Sequence, residues 1–131
     1  MKKHILFVFI SAVLIGLVAC EEEEVNPLCD HWYVNPDDFL NSDYYYFNYN
    51  YGYSNSGYGG FYDYNYSNYR SLDCKFSWEV DDDYLFLHYD YYNDYTKKQV
   101  EKTVLYYYDI SGKHLILRDH NYNYVGTYTK R

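Results

Sequence analysis

Beyond its first twenty residues this chain lacks the 3.6-residue apolar periodicity that lays one face of a helix on a core, which argues against a helical protein. Positive charge is also scarce, with 11 Lys and Arg against 19 Asp and Glu. Affinity for phosphates comes largely from clustered Lys and Arg, so nucleic acid is not an expected partner, and anionic lipid headgroups are disfavoured for the same reason. There are three cysteines but no Cys-x-x-Cys and no Cys/His spacing, which removes the usual sequence grounds for a zinc or dithiol site. No Gly-rich loop opens a helix, so a phosphate-cradling loop is unsupported. Ser54, Ser56, Ser67, Ser71, Ser77 and Ser111 all lack the strand-to-helix turn of a nucleophile elbow. The expectation is a non-catalytic protein with no cofactor and no metal.

Tyrosine dominates what is present: 23 residues, all between Tyr33 and Tyr128. A tyrosine joins a large apolar ring to a hydroxyl that needs a partner, which suits half-buried strands and contact surfaces. Asn and Asp interleave with it, as in Asn48-Tyr49-Asn50-Tyr51. The same alternation fits a binding face, an ordinary sheet face or a compositionally biased tract.

The N-terminus has the three-part layout of a secretory signal. Lys2 and Lys3 precede an apolar stretch over residues 5–18, and Leu17-Val18-Ala19-Cys20 closes it. As a helix this run would reach about 21 Å, short of the roughly 30 Å hydrocarbon core, so a permanent span is the weaker reading. With its cysteine at the cut, the segment resembles a bacterial lipoprotein signal. The resemblance implies cleavage after Ala19, acylation of Cys20 and attachment to the membrane through that lipid. Glu21, Glu22, Glu23 and Glu24 follow at once, a solvated tether by their like charge. Acidic runs at this position resemble those of lipoproteins on the outer face of the outer membrane in Bacteroidetes-type bacteria. The expected division is therefore a signal over residues 1–19, a lipidated acidic tether over 20–30 and one β domain over 31–131. Loss of Lys2 and Lys3 leaves 9 basic and 19 acidic residues, a net charge of −10. Cys29 and Cys74 then remain, and an even pair outside the cytoplasm suggests a disulfide, with two free buried thiols as the alternative.

Downstream, period-two alternation recurs. Trp32 and Val34 open a short strand that stops at Asn35-Pro36, and Tyr45, Phe47, Tyr49, Tyr51 and Tyr53 alternate with polar residues and Gly. The glycines over residues 52–60 are expected to break or turn the chain, and register over 44–69 stays open. From Cys74 the pattern is clean. Phe76, Trp78 and Val80 face inward, Asp81, Asp82 and Asp83 turn, Leu85 and Leu87 return, and Asn93-Asp94 turns again. Val100, Val104, Tyr106, Tyr108 and Ile110 form the longest run, Leu115 and Leu117 follow after Ser111-Gly112, and residues 124–129 close the chain after a turn over 119–123. Strands at this spacing predict an all-β antiparallel meander, a barrel or a β-sandwich.

The order of Trp32, Phe76-Ser77-Trp78, Leu85-Phe86-Leu87, the stretch Ile110-Ser111-Gly112-Lys113-His114-Leu115-Ile116-Leu117 and Gly126-Thr127-Tyr128 resembles the small lipocalin-like lipoproteins of Bacteroidetes. That resemblance implies a small up-and-down barrel, monomeric, that binds a small apolar ligand, a glycan or a protein. A structural or regulatory subunit of an outer-membrane complex is the alternative. Four histidines survive processing, His31, His88, His114 and His120, none at metal-ligand spacing, although His114 and His120 flank a turn and could meet. Asp81, Asp82 and Asp83, with Asp90 and Asp94 nearby, offer oxygens but lack the alternating ladder of a calcium loop. Trp32 and Trp78 read as core rather than as sugar platforms.

Overall fold

A computed structural model describes residues 25–50 and 52–131; the signal-like segment, Cys20, the four glutamates and Tyr51 lie outside the described residues. The eight strands are β1 (His31–Tyr33), β2 (Tyr44–Phe47), β3 (Ser56–Ser67), β4 (Arg70–Asp81), β5 (Tyr84–Asn93), β6 (Lys98–Ser111), β7 (His114–Arg118) and β8 (Tyr124–Thr129), with a 3-10 segment at Pro36–Asn41. They pair antiparallel in chain order and close into a barrel, so the up-and-down architecture holds and the sandwich does not. Closure rests on one register pair between β1 and β8, Tyr33 with Thr129. An ion pair of Lys130 with Asp30 at 3.9 Å adds to it, with the Lys130 ammonium over the Trp32 ring.

The alternation read from the sequence becomes the inside of the barrel. Trp32, Trp78, Leu85, Leu87, Leu115 and Leu117 are fully buried, with Phe47 and Phe76 packed between them. Burying each such side chain contributes on the order of 1.5–3 kcal/mol. Trp32 Nε1 donates to the Leu28 carbonyl at 2.8 Å, and Leu28 is itself fully buried. The fold therefore starts ahead of β1, inside the stretch expected to be tether. Tyr45 also points inward, 6% exposed, and its hydroxyl meets Tyr106, Tyr89 and Tyr128. These buried hydroxyls find partners in one another, as a desolvated phenol requires.

The Gly-rich stretch meets expectation only in part: the chain turns over residues 52–55, with Gly52 at φ 89°, but Gly57, Gly59 and Gly60 lie within β3. A Cβ at Gly57 would sit 2.7 Å from the Asn48 carbonyl oxygen and 2.9 Å from Trp78 Nε1, and one at Gly59 would collide with the Tyr46 carbonyl. These glycines let β3 pass close beneath β2 while large rings fill the interior. The actual break comes earlier, since β2 ends at Phe47 and the chain loops before Ser56, so Tyr49 and Tyr53 are not strand residues. The β3–β4 turn carries Asn68 and Tyr69 at φ 50° and 62°, the left-handed pair of a tight hairpin.

In an eight-strand up-and-down barrel both termini lie at one end. The β2–β3, β4–β5 and β6–β7 connections share that end here, and the other four connections lie at the opposite end. The two cysteines remain separate thiols: Cys29 packs against the core ahead of β1, and Cys74 lies on β4 opposite Phe61. The bridge suggested by their number is not formed in this structure. Burial raises the pKa of both thiols. Among the described residues no helix is long and apolar enough to cross a membrane.

Candidate binding depression on the barrel wall

Tyr108 also packs against the side chains that fill the axis, whereas Tyr33, Tyr44, Tyr46 and Tyr62 lie on the outer face. On β1 to β3, Tyr44 lies between Tyr33 and Tyr62 at ring-centroid distances of 5.2 and 5.1 Å, flanked by His31 and Tyr46. Several hydroxyls in this strip are already engaged: Tyr46 with Asp73 at 2.8 Å, Tyr62 with Ser71 at 2.8 Å and Tyr64 with Asn41 at 2.7 Å. Burial raises the Tyr46 pKa, and the Asp73 carboxylate adds to the shift. Three hydroxyls on this sheet face are thus spent on partners within the fold.

A different arrangement lies across β6, β7 and the turn after β7. In the β6–β7 register Tyr107 faces Arg118 and Asp109 faces Ile116, on the side opposite inward-facing Leu117 and Leu115. Asp83, from the β4–β5 turn, joins them because its carbonyl accepts the Tyr108 N–H at 3.0 Å. Together with Tyr122 these residues line an open depression of about 320 Å³.

Tyr122 is held there by its turn. Asp119 Oδ1 accepts the N–H groups of Asn121 and Asn123, each at 2.9 Å, while Tyr122 N–H donates to the Asp119 carbonyl at 2.8 Å. Those backbone donors, Asn123 foremost, hold the Asp119 carboxyl below its usual range. The result is Tyr122 at φ 68°, a left-handed conformation that costs a non-Gly residue about 1–2 kcal/mol. The residue is 61% exposed, and its ring makes a T-shaped contact with Tyr107 at 5.1 Å and lies under the Arg118 guanidinium at 4.9 Å. Tyr107 in turn packs on Tyr84 at 4.8 Å, their hydroxyls 3.3 Å apart, a contact that raises the Tyr107 pKa. The ion pairs among the described residues are Lys75–Asp73, His88–Glu79 and Lys130–Asp30. Arg118, Asp83 and Asp109 thus line one depression without pairing with each other.

The residues singled out from sequence fall elsewhere. His88 bridges three strands, Nε2 to Glu79 at 2.9 Å and Nδ1 to Thr103 at 3.0 Å. Both ring nitrogens are occupied on the open wall. His114 meets Thr129 at 3.1 Å. His120 lies in the turn at the other end of β7, so these two histidines cannot meet, contrary to their closeness in sequence. His31 belongs to the tyrosine strip. Asp81, Asp82 and Asp83 form the expected turn, but Asp94 lies beyond the far end of β5, and Asp90 accepts from Gln99 at 2.6 Å. These aspartates therefore do not form one cluster. No group of three His, Cys, Asp or Glu among the described residues is placed to hold a metal ion. Trp32 and Trp78 are both core.

Sequence reasoning missed Tyr107, Asp109, Arg118 and Tyr122. The usable signal is the outward set on β6 and β7 beside the Asp119-x-x-x-Asn123 segment, which in sequence shows itself only as a turn. Family models, curated proteins and solved structures offer no match to this chain.

Proposed function

We propose that this chain is a lipid-anchored protein of the bacterial outer membrane, held at the cell surface through Cys20, and that its barrel is a non-catalytic binding module that meets its ligand on the outer wall. One observation carries the binding part: the axis is filled by side chains, while the open depression at Tyr107, Arg118 and Tyr122 combines aromatic surface with unpaired charge. A small apolar ligand would need a chamber along the axis, where Trp32, Trp78 and four leucines sit. The anchoring part rests on residues 1–24 of the sequence. Cys20 lies eight residues ahead of buried Leu28, a reach of at most about 28 Å. The barrel end bearing the termini would then stand close to the bilayer, and the β1–β2, β3–β4, β5–β6 and β7–β8 connections would face outward.

Labelling with radioactive palmitate and fractionation test the anchor. Incorporation that is lost in Cys20→Ala, with release of the protein from membranes, is expected; unchanged membrane association without label refutes it. Protease added to intact cells should remove the barrel, and replacing the four glutamates with alanine should protect it.

The subunit reading draws on a different feature. Residues 98–106 of β6 pair with β5 on one side and have no strand on the other among the described residues. Such an edge accepts an added strand, and one dominant partner on cross-linking in cells, attached along this edge, would favour it.

A further inference from the structure

Resting on the binding-module reading, we infer that the depression at Tyr107, Asp109, Arg118 and Tyr122 takes a neutral glycan, one or two pyranose rings in size. The argument starts from what the site presents. A pyranose has an apolar C–H face and a rim of hydroxyls that both donate and accept. Tyr122 is 61% exposed, so its ring offers surface for the C–H face beyond what the Arg118 guanidinium covers at 4.9 Å. Asp83 and Asp109 supply carboxylates able to accept from neighbouring hydroxyls, and the guanidinium supplies donors in a fixed fork.

Charge selects against the alternatives. Two carboxylates and one guanidinium leave the site net negative, on a mature chain of net charge −10, so uronates, sialylated sugars and phosphates are repelled. An apolar ligand would strand three ionised groups without partners. Size agrees as well, since about 320 Å³ lies at the lower end of ordinary ligand sites.

The turn fixes how that ring is displayed. Four hydrogen bonds within residues 119–123 hold Tyr122 at φ 68° and present an exposed ring beside charges that form no ion pair with one another. The outer strip around Tyr44 differs: its Tyr46 and Tyr62 hydroxyls are tied to Asp73 and Ser71.

The test uses the mature chain, isotopically labelled, titrated with maltose, cellobiose, lactose and chitobiose to about 20 mM while amide shifts are followed. Binding with Kd on the order of 1 mM, about −4 kcal/mol, is expected for at least one disaccharide, with the largest shifts at Asp109, Ile116, Arg118 and Tyr122. Tyr122→Ala and Arg118→Gln should each weaken it at least about tenfold, while Tyr69→Ala on the β3–β4 turn leaves it unchanged. Thermal melts of the variants separate lost binding from lost folding. No shift at these amides with any of the four sugars, shifts confined to another face, or preferential binding of glucuronate overturns the proposal. If the sugars fail and cross-links in cells still converge on Tyr122 with a protein, the glycan falls and the binding-module reading stands.

Discussion

Alkaline pH should unfold this barrel earlier than its packing alone would suggest, and the buried tyrosines set the size of the effect. Burial pushes the Tyr45 hydroxyl well above its ordinary range, and the same cause raises Tyr89. A group with a raised folded pKa gives stability that is fully present below its unfolded value, near 10 for tyrosine, and loses it as pH climbs toward the folded value. At pH 11 each unfolded tyrosine gains about 1.4 kcal/mol by ionising, so Tyr45 and Tyr89 together remove about 3 kcal/mol from the folded state. Tyr46 and Tyr91 shift the same way, Tyr46 through burial and the bond to Asp73, and Tyr91 through burial and the bond to Cys74. Both are more exposed than Tyr45, and solvent screening discounts them. A domain of this size has about 5–15 kcal/mol in all, so the loss is a large share. Urea midpoints by circular dichroism, taken from about pH 8 to about pH 11.5, should hold level and then fall steeply above about pH 10, with tyrosinate absorbance rising cooperatively alongside unfolding. Tyr89→Phe should make that fall shallower by about 1.4 kcal/mol per pH unit. A midpoint that stays level to about pH 11, or a Tyr89→Phe slope equal to the parent's, refutes the reasoning.

Trp78→Ala empties the barrel axis beside Phe47 and should cost about 3–5 kcal/mol in chemical unfolding. Gly57→Ala puts a methyl against the Asn48 carbonyl and the Trp78 indole and should cost about 1–3 kcal/mol, read as a lowered melting temperature. Unfolding a Cys20→Ala variant in denaturant without reductant should expose two thiols to a colorimetric disulfide reagent, Cys29 and Cys74, and in the native state both should react slowly because burial disfavours their thiolates. A count of none would mean that the bridge forms after all.

The second half of the chain was legible from sequence because each strand there buries one face. Phe76 and Trp78, Leu85 and Leu87, and Leu115 and Leu117 all point where alternation put them. The first half was less legible because tyrosine serves either face. In Tyr44-Tyr45-Tyr46 the middle ring is core and its neighbours are wall, and only the register of Tyr45 with Phe61 and its ring contact with Phe76 distinguish them. Glycine misled for a related reason. Gly57 and Gly59 weaken a strand in isolation, yet here they make room for β2 and Trp78, a tertiary demand that composition does not carry. The candidate depression was illegible as a site because its parts come from β6, β7 and two turns, and no motif spacing links Asp83 to Tyr122.

The narrow seam between β1 and β8 has a mechanical consequence. Every other neighbouring pair of strands is joined by at least three register pairs, whereas this one has Tyr33 with Thr129 alone. A pull on the N-terminal segment, such as a membrane anchor would exert under shear, loads β1 first, and β1 is held by three register pairs to β2 and one to β8. The barrel would therefore yield by peeling its first strand away, and amide exchange should be fastest there while the β3 to β6 sheet stays closed.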